Sequence, residues 1–529
     1  MEGVGHVILS LFGSGLLRLG VSEAENHHRV KWEMMEQSVH WPLYLTGKLT
    51  RVQLAAAVGG SDEAVVSDIM GLLQYADRAV TVDEGLVQAI VQVRKRGCRV
   101  SAIADASRET MAFLRRTVAC MDEFDYIFSS GFTGVCLPDR RPIEFAVWYV
   151  GTTAGATLMV DASEANRAAA EGCGVRVLRC AGGAVGDALL EAVPNKDEGG
   201  AASVNAVSLS SRMVSAAHAR VVEGEESTYG LHVTYRQDPV NPLARNEIPV
   251  EVFSDALMLI YCPVYAFTQR GWRTLLLIQS KVRENGTFSF FLSDKVPYPP
   301  DADTSSVLVH LLDHYRLAPV WLRDRLCASM AANVNADGTV LTFFDETRDT
   351  VDPVVVAAAL AHFLKSPAYR SLPIVEAQAR FIEDRVAKRH YVVYYPSRPF
   401  ALALIARLYH VYPEPFSPTF RDVLLREVEL VEKTDNVRAI DILNSLENQR
   451  LLKGKRHGND YDAALHRLHE ISSQPSYWYN EPVYRKNSNR RTAAGGMQSS
   501  VFVNSALVDA MLLRHLVYDW WDARSDSNC

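Results

Sequence analysis

The period of the apolar residues changes once along this chain, and that change limits the folds open to it. From residue 6 to about 190, short apolar runs alternate with helical segments: "HVILSLFG", "RVSAIADA", "DYIFSSG", "ATLMVDA" and "GVRVLRCAG". Runs of that length, separated by helix-forming stretches, predict parallel strands joined by crossover helices. The second half reads differently. Long amphipathic stretches such as "DPVVVAAALAHFLKS", "YPSRPFALALIARLYHVY" and "SALVDAMLLRHLVYDWW" lie between Pro, Gly and Asn turns, which predicts a mostly α-helical domain. Between the halves, "AVPNKDEGGAASVNAVS" (192–208) is small and polar, with neither period, and reads as a linker. The expected organisation is an α/β domain at 1–191, a linker at 192–208 and an all-α domain at 209–529.

A chain of 529 residues, 48% of them hydrophobic, holds material for more than one core. Its net charge of −7 provides no broad basic surface for nucleic acid or anionic lipid, so any phosphate recognition needs a local pocket. The eight cysteines show no CxxC pair and no Cys/His ligand spacing, and read as reduced thiols. No stretch approaches the roughly 20 apolar residues of a membrane span. The apolar amino terminus lacks a basic leading segment and a cleavage site, so a soluble cytoplasmic protein is expected.

The stretch "PYPPDADTSSVLVHLL" (297–312) carries the chemistry. Pro299 and Pro300 end an irregular segment, and Asp303, Thr304 or Ser305 could cap a helix beginning near Val307. The same carboxylates suit a second task. Protonating an unactivated alkene requires a carboxylic acid that stays neutral at neutral pH, and burial raises an Asp from its ordinary value near 3.9. A helix N-terminus favours the anion, so such an acid must sit in a dry pocket and is correspondingly strong. Capping and catalysis are compatible at one site.

Asp301-Ala302-Asp303-Thr304-Ser305 resembles the DxDTT or DxDTS acid motif of class II terpene cyclases, in the branch fused to a dehalogenase-like domain. The resemblance implies that Asp303 carries the proton, that Asp301 orients or re-protonates it, and that Thr304 replaces the further aspartate of DxDD cyclases. Members similar to drimenyl and albicanyl diphosphate synthases cyclise farnesyl diphosphate and leave the diphosphate attached. "QSKVRENGTFSFF" (279–291) is similar to the glutamine-to-tryptophan repeats of triterpene cyclases, with Gln279 and Gly286 in place and Phe288 where tryptophan is usual. The segments at 334–360 and 389–408 resemble those after the acid motif, and 474–496 is a weaker echo.

The first half resembles the haloacid dehalogenase superfamily with its chemistry missing. Ser10 and Phe12 stand where that family has its two aspartates, Ala104-Asp105 where a phosphate-binding hydroxyl or amide is usual, and Leu137 where a lysine precedes a proline. Asp161 survives of the magnesium-binding carboxylates, with Ala162 beside it. A scaffold that folds without hydrolysing anything is expected.

A migrating cation requires polarizable walls, for which Trp272, Trp321, Phe343, Phe344, Tyr394, Tyr395 and Trp478 are candidates. Each equally suits packing between helices. Holding the diphosphate calls for arginine or lysine, with magnesium implied by the resemblance, and Arg348, Arg398, Arg485 and Lys486 are chemically suitable. The carboxylates of "FDETRD" (344–349) suit local pairing with Arg348 better than a metal, and His310 and His314 suit packing or hydrogen bonding. A prenyl diphosphate is the expected small-molecule partner, with a separate phosphatase acting downstream. The rival readings are a bifunctional cyclase and phosphatase that releases an alcohol, and a non-catalytic prenyl-diphosphate-binding scaffold.

Overall fold

The computed structural model describes residues 4–19, 32–179, 185–193, 207–223, 231–232, 234–237, 245–247, 250–292, 298–395, 397–434, 438–453, 459–472, 482–491, 497–503 and 505–525. It divides into two compact units, Met1–Ala216 with Pro263–Trp272, and Ala217–Cys262 with Arg273–Cys529. Of the linker expected at 192–208, residues 194–206 lie outside the described residues.

All five apolar runs of the first half are parallel strands: β1 (His6–Ser10), β2 (Arg99–Ala104), β3 (Tyr126–Ser129), β4 (Thr157–Asp161) and β5 (Arg176–Arg179). Their order in the sheet is β3-β2-β1-β4-β5. Every residue of β1 and β4 is buried, which is why these strands read as continuous apolar runs and not as alternation. Strand order reverses between β1 and β4, and a crevice outside the carboxyl ends at that point is where open α/β sheets bind ligands.

Ser10 and Asp161 meet there, but the space is taken. The Asp161 carboxylate accepts hydrogen bonds from the Ser163 backbone N–H (2.7 Å) and Asn166 Nδ2 (2.9 Å). A Cβ added to Gly13 would lie 2.6 Å from both Asp161 oxygens and 2.7 Å from Ser10 Oγ. Asp105 accepts from the Leu137 N–H, and burial, with the Asp161 charge adding, pushes its pKa up to about 6.

The second unit is helical. The elements that matter below are α1 (Phe253–Tyr261), α2 (Ala302–His314), α3 (Pro353–Lys365), α4 (Arg398–Val411), α5 (Ala439–Lys453) and α6 (Ser505–Ser525). It also contains a four-stranded sheet of β6 (Tyr235–Gln237), β7 (Arg245–Glu247), β8 (Pro482–Arg491) and β9 (Met497–Val503), in the order β8-β9-β6-β7. The helical expectation for residues 209–529 holds, with this small sheet added to it. The sequence of β8, "PVYRKNSNRR", lacks apolar alternation, and antiparallel pairing with β9 runs through the backbone, which such a pattern does not report. No described helix is long and apolar enough to cross a membrane.

Candidate active site

The acid motif is held extended before it turns into a helix. Phe288 and Ser289 pair antiparallel with Asp301 and Pro300, Asp301 also bridges to Phe343, and the Phe344 N–H donates to the Pro300 carbonyl (3.0 Å). Gly286 makes the turn that brings Phe288 there. It has a φ of 77°, and a Cβ on it would lie 2.6 Å from the Leu326 backbone nitrogen. Gln279 donates from Nε2 to the Leu317 carbonyl (2.9 Å), which ties its helix to the loop after α2.

Helix α2 starts at Ala302, earlier than the expected Val307, and its cap is Asp301, not Asp303, Thr304 or Ser305. Asp301 Oδ1 accepts from the Thr304 N–H at 2.7 Å. Once Asp301 serves as the cap, Asp303 is freed to point elsewhere. Its Oδ2 accepts a hydrogen bond from the Tyr395 hydroxyl, which leaves the other oxygen to carry the proton of the neutral acid. Burial drives the Asp303 pKa well above the ordinary range; the Tyr395 hydrogen bond opposes this, and the Asp301 and Asp352 carboxylates add to it. Burial likewise pushes Asp301 up to about 7 and Asp352 up to about 6. All three carboxyls are therefore harder to ionise than an exposed Asp, and for each the largest cause is burial.

Asp303 opens into a cavity of about 1060 Å³, mouth included, enclosed by α1, α2, α3 and α4. Leu257, Ile260, Val307, Ala357, Ala358, Ala361, Leu404 and Leu408 form its walls, with aromatic surface from Phe253, Tyr261, Tyr395, Phe400 and Tyr412. Helices α2, α3 and α4 run in the same direction along it. Tyr395, just before α4, meets Asp303 near the start of α2; His362 Nε2 of α3 donates to the Ser306 carbonyl (2.9 Å) one turn on; Lys365 at the end of α3 meets His310 (3.2 Å). Seven helical residues separate Asp303 from His310, a rise of about 10 Å.

The far end is cationic. Lys365 donates from Nζ to His310 Nδ1, and because an ammonium only donates, His310 is neutral with its hydrogen on Nε2. Burial holds the His310 pKa well below its ordinary value, with Lys365, His314, His362 and Arg407 adding. Burial, with Arg323 nearby, brings Lys365 down to about 8. Arg407 lines the same end and donates to Glu447 Oε1 at 3.1 Å. The negative ends of three helix dipoles lie on this side, which complements the cations.

Of the residues singled out from sequence, Asp303, Tyr395 and His310 line the cavity, and Asp301 and Thr304 are buried beside it. The others are placed elsewhere. Trp272 is buried within the segment 263–272 that belongs to the first unit, and Trp321 is 44% exposed. Phe343, with Phe344 next to it, backs the acid loop; its ring stacks edge-on against Tyr298 and Tyr394 and underlies Arg348, 4.8 Å from the ring centre. Arg348 also pairs with Asp345 (3.3 Å), as expected, and Arg398 reaches Thr434 (3.1 Å). Arg485 and Lys486 lie on β8 opposite Val501 and Ser500, with side chains outside the described residues, as is Trp478. Lys365 and Arg407 were missed because each is a lone cation on an apolar helix. The signal was there: both sit on the apolar face of a helix, where a cation needs a reason.

A magnesium ion beside a diphosphate at this end finds no fitting donors. The groups facing the cavity there are Lys365, Arg407 and the imidazoles of His310 and His362, and among the described residues no three His, Cys, Asp or Glu side chains converge as metal ligands.

The chain thus combines a parallel α/β unit with a helical unit whose apolar cavity has a buried carboxyl of raised pKa at one end. Residues 267–366 match the family model described as the sesquiterpene cyclase astC-like C-terminal domain. No curated protein matches the chain. Among solved structures, the type II terpene cyclase MstE from Scytonema is 15% identical over 59% of this chain and 98% of its own, with a TM-score of 0.42. A single-residue variant of that cyclase, in complex with its substrate geranylgeranyl dihydroxybenzoate, is 14% identical over 59% and 97%, with a TM-score of 0.41. A magnesium complex of a HAD family enzyme from Bacteroides thetaiotaomicron is 12% identical over 34% and 93%, with a TM-score of 0.29. At such identities and TM-scores these likenesses carry neither activity nor substrate across.

Proposed function

We propose that the second unit cyclises farnesyl diphosphate by protonation to a bicyclic, drimane-type diphosphate with the diphosphate retained. One observation carries this reading: a buried carboxyl of raised pKa and a group of cations line one apolar cavity, about 10 Å apart along α2. The proton passes from Asp303 to the less substituted carbon of the distal alkene, which leaves a tertiary cation on the carbon that bears the two methyl groups. The alkene electrons then form the ring bonds, the aromatic faces stabilise the moving cation, and the last cation loses a proton, so the product is an isomer of the substrate. Lys365, the His310 Nε2–H and Arg407 hold the diphosphate away from the acid. Asp301 and Asp352 support the acid by keeping the cluster protonated.

Purified protein incubated with farnesyl diphosphate is expected to yield a cyclic alcohol only after alkaline phosphatase is added. Cyclic alcohol without the phosphatase would mean that the diphosphate leaves; unchanged farnesol after treatment would remove the C15 substrate.

Tyr395→Phe tests how the acid is tuned. The lost hydrogen bond favoured the Asp303 anion, so its removal raises the Asp303 pKa further and weakens the acid. Activity is expected to fall about 10-fold to 100-fold, as for loss of a hydrogen bond to a charged group. The alkaline limb of the pH profile should move to higher pH. An unmoved limb with lower activity would make Tyr395 a packing residue.

A further inference from the structure

Behind Arg407 lies a second pocket, with room for about one water molecule, lined by Tyr261, Arg407, Asn444, Glu447, Arg514 and His515. Three guanidinium groups converge there on one carboxylate: Glu447 accepts from Arg407 (3.1 Å), Arg450 (2.9 Å) and Arg514 (3.4 Å). Although burial opposes it, Arg514, Arg407 and Arg450 hold the Glu447 carboxyl far below its ordinary range, so it is fully ionised. Arg514 also lies over the Tyr261 ring, 4.9 Å from its centre, and over the Tyr518 ring at 5.1 Å. Among the described residues, Lys365 has no carboxylate partner at all; its hydrogen bond goes to His310. Among those residues, four buried or half-buried cations thus share a single anion on either side of Arg407.

An excess of positive charge out of water is costly unless an anion joins it. The anion must carry about three charges to balance the set, and it must reach Arg407 and Lys365 from the cavity. A diphosphate meets both conditions. A magnesium ion added to the same place would meet four cations and no free carboxylate, so its charge would be repelled where in other sites it is needed.

We propose that this chain binds the diphosphate group directly through Lys365 and Arg407, with Arg450 and Arg514 adding positive charge behind them, without magnesium, and that Glu447 sets the charge of the site. The proposal rests on the cyclase reading only for the organic part of the ligand. Inorganic diphosphate tests the anion site by itself. Titration calorimetry of the full chain should give a dissociation constant in EDTA within about threefold of that in magnesium, or tighter. Glu447→Gln should tighten it by about fivefold or more, and Lys365→Met should weaken it by about tenfold or more, as loss of a charged hydrogen bond does. Binding seen only with magnesium, or tightened tenfold by it, overturns the proposal, as does weaker binding by a folded Glu447→Gln.

If Glu447→Gln does not fold, the comparison of EDTA with magnesium on the unaltered protein still decides. A parallel assay with farnesyl diphosphate separates the two readings. Metal-free binding of inorganic diphosphate with no cyclic product would leave this site standing and remove the substrate; cyclic product formed only with magnesium would do the reverse.

Discussion

Asp303→Asn is expected to lower cyclisation about 10³-fold or more while the protein stays folded. Positioned acids contribute roughly 10²–10⁴-fold, and an amide has no proton acidic enough for an alkene. The amide keeps the size of the carboxyl and can still accept from the Tyr395 hydroxyl. A pH-dependent stability change should accompany the loss. In the folded protein the Asp303 pKa is raised, so the stability it contributes is full below its unfolded value near 3.9 and is lost as pH rises through the folded value. The melting temperature of Asp303→Asn relative to the unaltered protein should therefore increase between pH 5 and pH 8. Substantial product from this variant, or a difference in melting temperature that ignores pH, would remove Asp303 from the acid role.

Lys365→Met should lower kcat/KM for a prenyl diphosphate by about 10-fold to 100-fold, chiefly through KM, because hydrogen bonds to charged groups contribute roughly 1.5–3 kcal/mol. The alkene end of the cavity is untouched, so the product should be unchanged. The free-protein pKa of Lys365, about 8, gives a second readout. Above that pH the ammonium loses its proton and the anion loses its partner, so KM should rise between pH 7 and pH 9 in the unaltered protein and stay flat in Lys365→Met. Removing a half-buried cation that has no carboxylate partner among the described residues should also leave the melting temperature level or raise it. A variant with normal KM, or one that melts much lower, would give Lys365 a structural role.

Much of the fold was readable one segment at a time. The five strands of the first half form the middle of an α/β unit, and β1 and β4 are buried throughout, so burial wrote itself into the sequence as runs of Val, Ile and Leu. The departures from the dehalogenase-like pattern at Ser10, Phe12, Leu137 and Ala162 were readable in the same way, because a nucleophile or ligand is a residue type at one position. The sheet of the second half was not readable. Its strands pair through backbone groups that every residue carries.

The site divides along the same line. Asp301-x-Asp303 was legible because a carboxylate pair at the start of a helix is a local pattern; which of the two caps and which faces the cavity was not, since the Thr304 N–H and the Tyr395 hydroxyl choose between them. Trp272 and Arg398 drew attention as residue types suited to a cation or a diphosphate, yet one lies in the first unit and the other reaches Thr434. Aromatic and basic residues are needed for packing and solvation everywhere, so their identity says little without an address.

By itself, then, the sequence determined the two architectures and pointed to the candidate acid, both of which depend on period and residue type within a few positions. Only the tertiary structure decided what faces what. Lys365 on α3 and Arg407 on α4 flank His310 of α2 because those helices run side by side in one direction, and Glu447 on α5 meets Arg514 on α6 across 67 positions of chain. Charges that far apart in sequence have no pattern to read; they become a site when folding removes the water between them.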